Sequence, residues 1–274
     1  MSATPSDTYT HGHHASVVDQ HRRRTAEDAA AFLLPHLELS MSILDVGCGP
    51  GSITIGLAQR VPEGHVTGID VVEDVLRQAR ELAGDSDLEN LTFETGDVYA
   101  LAYEVDQFDV AYAHQVLQHL TDPVRALREL RRVTKPGGFV AIRDADYGTM
   151  VHAPDVPEIH RWRDLYRAVA TRNDAEADAG RYLNGWMLEA GFEDLQLTGS
   201  TWVFHEPRQV LNWGDSWANR ITQSALASQA VEYGLATTEE LEAIAEGWRR
   251  WARLPNAFFS FLHIEALGRT PATK

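Results

Sequence analysis

The sequence predicts an α/β fold: an open, doubly wound sheet, mostly parallel with its last strand antiparallel, carrying helical insertions that form a cap. Two observations predict it. From Ser42 onward, short apolar and β-branched runs alternate with helix-period runs, the pattern of parallel strands joined by crossover helices. The first run, Ser42-Ile43-Leu44-Asp45-Val46, passes through a carboxylate into Gly47-Cys48-Gly49-Pro50-Gly51-Ser52, and a helical pattern (Ile53, Leu57, Ala58) follows at once. Such a stretch reads as a buried strand, a tight turn almost without side chains, and a helix N-terminus aimed at a ligand. There the exposed N–H groups of the turn can meet that ligand.

The remaining elements follow in order. His65–Asp70 (HVTGID) is a second strand ending in an acid. Val72, Val75, Leu76, Ala79 and Leu82 then mark one face of a helix. Leu91–Glu94 is a third strand leading to Gly96-Asp97, and Phe108–Ala113 (FDVAYA) is a fourth, followed by His114-Gln115. Asp122-Pro123 supplies an N-cap and a first-turn proline for the next helix, which Lys135-Pro136-Gly137-Gly138 ends. Phe139–Ile142 is a fifth strand. Helices are expected over 155–171 and 180–190, a sixth strand over 195–204, mainly helix over 207–255, and a final strand over 257–267. Before the sheet, a helical run from about Ser16 to Leu37 carries Ala29, Ala30, Phe32, Leu33 and Leu34, which should pack on the core until Pro35. Residues 1–40 thus form an arm and helix, and 41–274 the core, with cap insertions at about 147–172 and 207–255.

Bulk properties narrow the function. A length of 274 residues with 44% hydrophobic content and 7 tryptophans gives one substantial core. A formal charge of −16 argues against binding nucleic acid or an anionic membrane through a general basic surface. The single Cys48 rules out an internal disulfide framework and a multi-cysteine zinc site. The first ten residues lack an apolar signal core, and no stretch approaches the ~20 apolar residues of a membrane span, so a cytoplasmic monomer or homodimer is expected.

Ligands of open parallel sheets bind outside the carboxyl ends of the strands. Those ends carry Asp45 with Gly47, then Asp70, Asp97 and His114. The glycine spacing departs from G-x-G-x-x-G, because Ser52 stands where the third glycine would. Asp70 falls about 20 residues beyond the turn, as an acid binding ribose hydroxyls should. Asp97, however, has no counterpart in the dinucleotide fingerprint.

With these residues in place, the chain resembles the class I S-adenosylmethionine-dependent methyltransferases, over about Ile43 to Asp146. The likeness rests on ILDVGCGPG, GID, GDV and LRELRRVTKPGGFVAI, and it is strongest to the small-molecule branch containing the quinone-biosynthesis methyltransferases. The resemblance implies a Rossmann-like fold with S-adenosyl-L-methionine as cofactor and a small-molecule methyl acceptor. It implies that the backbone of Gly47, Gly49 and Gly51 cradles the methionine and ribose portions and that Asp45 orients the loop or the amino group. Asp70 would take the ribose hydroxyls and Val71 would pack on the adenine. Gly96 leads into Asp97, which would accept from the adenine amine, and the Val98 amide would donate to the ring. His114 and Gln115 would line the methionine end. The stretch from Tyr9 to Leu37 is similar to the lead-in helix of fungal and actinobacterial methyltransferases, including thiol methyltransferases that act on dithiol forms of epipolythiodioxopiperazines. In those the arm lies over the cofactor, which implies that Tyr9 or a following histidine sits near the methionine carboxylate.

For a phenol or thiol acceptor, a histidine near neutral pH is a suitable base, and a thiol at ~8.5 needs less help than a phenol at ~10. His14 and His114 are the candidates, beside Tyr9. The cluster His11, His13, His14 and His21 has no matching carboxylate set, so no metal is expected. His119 reads as a capping or packing residue. Trp213 with Trp217 and Trp248 with Trp251 share helix faces and read as core, part of which can wall an apolar acceptor pocket. The expected reaction is methyl transfer to a small, apolar metabolite, at S or O, with a thiol slightly ahead. The alternatives are an NAD-dependent oxidoreductase, against which Asp97 speaks, and a cofactor-binding regulator without chemistry.

Overall fold

The structure is a computed structural model that describes Asp7, Thr8, Thr10, Arg22 and residues 24–272. Its centre is one sheet. β1 (Ser42–Val46), β2 (His65–Asp70), β3 (Leu91–Thr95), β4 (Phe108–His114) and β5 (Thr134–Ala145) lie parallel in the order β3-β2-β1-β4-β5. The chain runs outward from β1 to β3 and then returns to begin the other half at β4, so the topological switch falls between β1 and β4. Helices α2 (Ser52–Arg60), α3 (Glu73–Gly84) and α4 (Pro123–Val133) supply the crossovers. Asp122 caps α4 as its sequence indicates, its side chain accepting from the Arg125 amide.

Beyond β5 the sheet turns antiparallel. The last strand, β8 (Phe258–Arg269), pairs through residues 263–269 with β5 and through 258–260 with β6 (Val151–Ala153). β7 (Glu193–Phe204) pairs along nearly the whole length of β8. The antiparallel last strand agrees with the sequence reading; β6 does not appear in it, because a three-residue strand has too little pattern to show.

Two further differences have physical causes. Helix is expected without a break over 16–37, but Thr25 caps a four-residue helix, α1 (Ala26–Ala29), and a 3₁₀ turn at Leu34–His36 contains Pro35. Ala26, Ala29, Ala30 and Leu33 are nonetheless fully buried against the sheet. Lys135–Gly138 does not separate helix from strand. These residues belong to β5, as a bulge opposite β4 where Phe108 pairs Thr134 but Val110 pairs Phe139. Gly137 has φ +74°, and a Cβ on Gly138 would stand 2.7 Å from the Asp109 carbonyl oxygen.

The insertions carry α5 (Pro157–Arg172), α7 (Pro207–Gln223), α8 (Ala225–Glu232) and α9 (Thr238–Ala252); α6 (Leu183–Glu189) packs instead on α4. The inserted helices close around Trp162, Trp217, Trp248 and Trp251, each at most 1% exposed. The Trp162 ring lies 4.3 Å from that of Trp217 and 4.9 Å from that of Trp248, both edge-on, the favoured geometry for aromatic quadrupoles. This cluster joins the sheet through Phe259 and Phe261 of β8. Among the described residues no helix is long and apolar enough to cross a membrane. Trp162→Ala should therefore lower stability by about 3–5 kcal/mol, the usual cost of emptying a packed aromatic site. Urea unfolding of the variant beside the parent chain measures it.

Candidate functional site

The turn after β1 is built from left-handed backbone. Gly47, Gly49 and Gly51 have φ of +66°, +54° and +80°. A Cβ on Gly47 would meet Val116 at 2.5 Å, and one on Gly51 would meet Phe93 at 2.7 Å, whereas one on Gly49 would project into open space. The middle glycine therefore leaves bare backbone where a ligand can approach.

Carboxylates hold this turn. Asp45 is 2% exposed, and its Oδ2 accepts from the Thr54 hydroxyl at 2.7 Å. Asp70 reaches across from the end of β2: its Oδ2 accepts from the Gly49 amide at 3.1 Å and its Oδ1 from the Val72 amide at 3.0 Å. Beside it, Val71 is 67% exposed, an apolar side chain left open at a strand end. Past β3, Gly96 donates its amide to the Asp70 carbonyl, and Asp97 is exposed, its Oδ1 accepting from the Tyr99 amide at 2.9 Å. Val98, next in the chain, is buried. The structure thus brings together Asp45, Gly47, Gly49, Gly51, Asp70 and Val71, with Gly96–Val98 on the neighbouring strand end.

Burial dominates the electrostatics. It pushes the Asp45 carboxyl up from 3.8 to about 7; the Thr54 hydrogen bond opposes this, and the nearby Asp70 charge adds to it. The Cys48 thiol is likewise raised by burial and by these two acids, so it stays protonated.

The end of β4 is different. His114 is 6% exposed, and its Nδ1 lies 3.5 Å from a nitrogen of the wholly buried Arg143. Arg143 also donates to Ser200 Oγ at 2.9 Å and pairs with Glu265 at 3.3 Å. Gln115 has φ +56°, and its amide donates to the Arg143 carbonyl. Its side chain touches Arg24 at 2.7 Å and His263 at 2.8 Å. The Trp202 ring lies under the guanidinium groups of Arg24 and Arg143, at 5.3 and 5.1 Å, and 4.4 Å from the His263 ring. Burial lowers the His263 pKa well below its ordinary value, with Arg143 and Arg24 adding to the effect, so the ring is neutral. His119 closes a 3₁₀ turn, and burial and Arg24 push it down to about 3, which fits a packing role.

Sequence reasoning passed over Arg24, Arg143, Trp202, His263 and Glu265. A signal existed: His263 and Glu265 stand two apart in an otherwise apolar strand, which places both on one face, and Arg143 interrupts a second apolar run. Tyr9 and His14, like His11, His13 and His21, lie outside the described residues. Among those described, His152, Asp155 and His160 form the one group with metal-ligating side chains in reach of one another. There, however, His152 Nε2 already accepts the Val156 amide, and His160 pairs with Asp155 at 2.5 Å.

A methyltransferase-domain family matches residues 37–196. The chain is 34% identical to an uncharacterized methyltransferase of Schizosaccharomyces pombe over 256 residues, covering 89% of each chain. It is 32% identical to the demethylmenaquinone methyltransferase of Listeria welshimeri over 136 residues, covering 49% of this chain and 54% of that one. Among solved structures, a phosphoethanolamine N-methyltransferase of Haemonchus contortus, in complex with phosphomonomethylethanolamine and S-adenosylhomocysteine, superposes with a TM-score of 0.53. That match has 18% identity and covers 88% of this chain and 52% of that chain. The fold is that of a Rossmann-like methyltransferase, and the chain belongs to the class I S-adenosylmethionine-dependent methyltransferase family. That membership displaces the oxidoreductase alternative.

The raised Asp45 pKa has a consequence for stability. Between pH 3.8 and about 7 the folded chain keeps a proton that the unfolded chain has lost, so stability falls as pH rises through this window. Asp45→Asn, which cannot ionise, should gain in melting temperature relative to the parent as pH rises from 5 to 8. Melting curves at the two pH values check this; an equal difference at both would refute the assignment.

Proposed function

We propose that this methyltransferase transfers the methyl group of S-adenosylmethionine to a sulfur or oxygen atom of a small apolar metabolite, with a thiol slightly ahead of a phenol. The observation that carries the donor side is the set of three carboxylates, Asp45, Asp70 and Asp97, at the ends of three adjacent strands around a glycine turn. The turn between Gly47 and Gly51 contains no basic side chain, which suits a donor bearing ammonium and sulfonium charges and no phosphate. The bare face of Gly49 is a fit for the same ligand.

In this reading each residue has a defined task. Asp70 keeps Gly49 and Val72 in place and takes the two ribose hydroxyls. Val71 loses its exposed surface beneath the adenine. Asp97 has Oδ2 available for the exocyclic amine, and the Val98 amide donates to the ring. Asp45 orients the turn, while His114 and Gln115 border the methionine end. Bound S-adenosylmethionine supplies an electrophilic methyl group on sulfur, and the chain's part is to align the acceptor with it and exclude water.

The arm and the inserted helices roof this end. Asp7 accepts from the Thr121 amide at 2.8 Å and from the Tyr99 hydroxyl at 3.2 Å. The buried Thr10 accepts from Asn173, at the end of α5, at 3.1 Å. These two anchor points support an arm drawn from the loops after β3 and β4 to the cap. The aromatic floor of Trp202 and Phe261 supports an apolar acceptor, and the likeness of the arm to thiol methyltransferases favours sulfur.

Asp70→Ala should weaken S-adenosylmethionine binding at least tenfold, because hydroxyls and two amides lose a charged partner. Isothermal titration measures it, and unchanged affinity would remove Asp70 from the site. The reaction itself is tested by mass spectrometry of products after incubation with methyl-labelled donor and a panel of dithiols, thiols, phenols and amines. Labelled thioether or ether supports the reading, and label on amines alone refutes it.

A further inference from the structure

The side chain of Gln115 fixes a proton elsewhere. A guanidinium only donates hydrogen bonds, so the Gln115 atom facing Arg24 is its oxygen, and its Nε2 faces His263. That amide nitrogen donates to His263 Nε2 at 2.8 Å. The neutral ring must then carry its own hydrogen on Nδ1. His263 is 0% exposed, and among the described residues Nδ1 has no partner. The buried acceptor left over on β5 does not serve it. Among the described residues Asp144 Oδ2 also lacks a partner, but Asp144 alternates with Arg143 and Ala145, and Ala145 is the residue paired with His263. The carboxylate and the imidazole therefore project from opposite faces of the sheet.

His263 lies one hydrogen bond from Gln115, the residue bordering the methionine end in the proposed function, on which this inference rests. Its other neighbours are the rings of Trp202 at 4.4 Å and Phe261 at 4.7 Å. The wall on this side is thus largely aromatic, and His263 Nδ1–H is a buried donor within it. We propose that His263 Nδ1–H is a specificity-determining donor for the methyl acceptor, and that the acceptor carries a hydroxyl or carbonyl oxygen beside the atom to be methylated. The donor does not meet the reacting atom itself, whose lone pair must point along the line to the methyl group. Nor does His263 move a proton, since Nδ1 already holds one and Nε2 is committed to Gln115. A site built to hydrogen-bond an oxygen discriminates strongly against analogues that lack it.

The test compares 2-mercaptophenol with thiophenol, an apolar thiol pair differing only in the neighbouring hydroxyl. Affinities are measured by titration into the full chain saturated with S-adenosylhomocysteine, for the parent and for His263→Asn, His263→Gln and His263→Phe, with melting curves confirming that each is folded. The parent should prefer 2-mercaptophenol at least tenfold. His263→Asn should keep the preference, because its amide N–H stands near the Nδ1 position; His263→Gln, whose amide reaches toward Gln115, and His263→Phe should lose it. Equal affinity for the two thiols in the parent, including no measurable binding of either, overturns the proposal, as does a preference that survives in His263→Phe. Failure of S-adenosylhomocysteine to bind the parent overturns the donor-site reading itself and is seen before any thiol is added.

Discussion

The Asp70 carboxylate is the constraint on which the rest depends. One oxygen holds the Gly49 amide and the other the Val72 amide, so a single side chain at the end of β2 ties the turn after β1 to the start of α3. Charge-assisted bonds of this kind are stronger than neutral ones. They matter here because a run of left-handed glycines has many alternative conformations and no side chains to hold it. The turn is bare where a ligand must approach and is tethered from a neighbouring strand.

The two halves of the site meet electrostatics differently. On the donor side, carboxylates gather around the glycine turn, and burial raises the Asp45 carboxyl to about 7. On the other side, Arg143 is buried with Glu265 and Ser200 and stacks on Trp202, so positive charge is held by hydrogen bonds and an aromatic face. In the proposed function this division sets carboxylates toward a cationic donor and guanidinium groups behind an electron-rich acceptor.

Much of the donor half was legible because each feature is local in sequence. A β-branched run, an acid and a glycine turn are contiguous, and the acids recur at predictable strand ends. The cluster around Arg143 and His263 was not legible, because it is assembled across the sheet. Arg143, Ser200, Trp202, His263 and Glu265 come from three strands, and only the register that pairs Arg143 with Glu265 and Ser200 with His263 makes them neighbours. Gln115 was placed as a border residue by resemblance. Its backbone at φ +56°, and its link to His263 148 residues away, are tertiary facts that no local pattern encodes. The short helix α1 was missed for the opposite reason, since a polar, helix-compatible run leads up to Thr25 while its hydroxyl caps a new start.

The late position of β8 in the chain has a consequence for how the molecule forms. Strands β1 to β5 lie within residues 42–145, each crossover joining strands that become neighbours or near neighbours. β8 begins at Phe258, yet it must enter between β5 and β7 and receive the inserted helices through Phe259 and Phe261. During synthesis strands β1 to β5 are therefore in hand long before β8, and the edges of β5 and β7 wait open until β8 arrives. Long-range pairing of this kind is slow and leaves strand edges exposed in the interval. The glycine turn after β1 and the cluster around Trp202 and His263 thus form in succession, the second only when β8 pairs with β5 and β7.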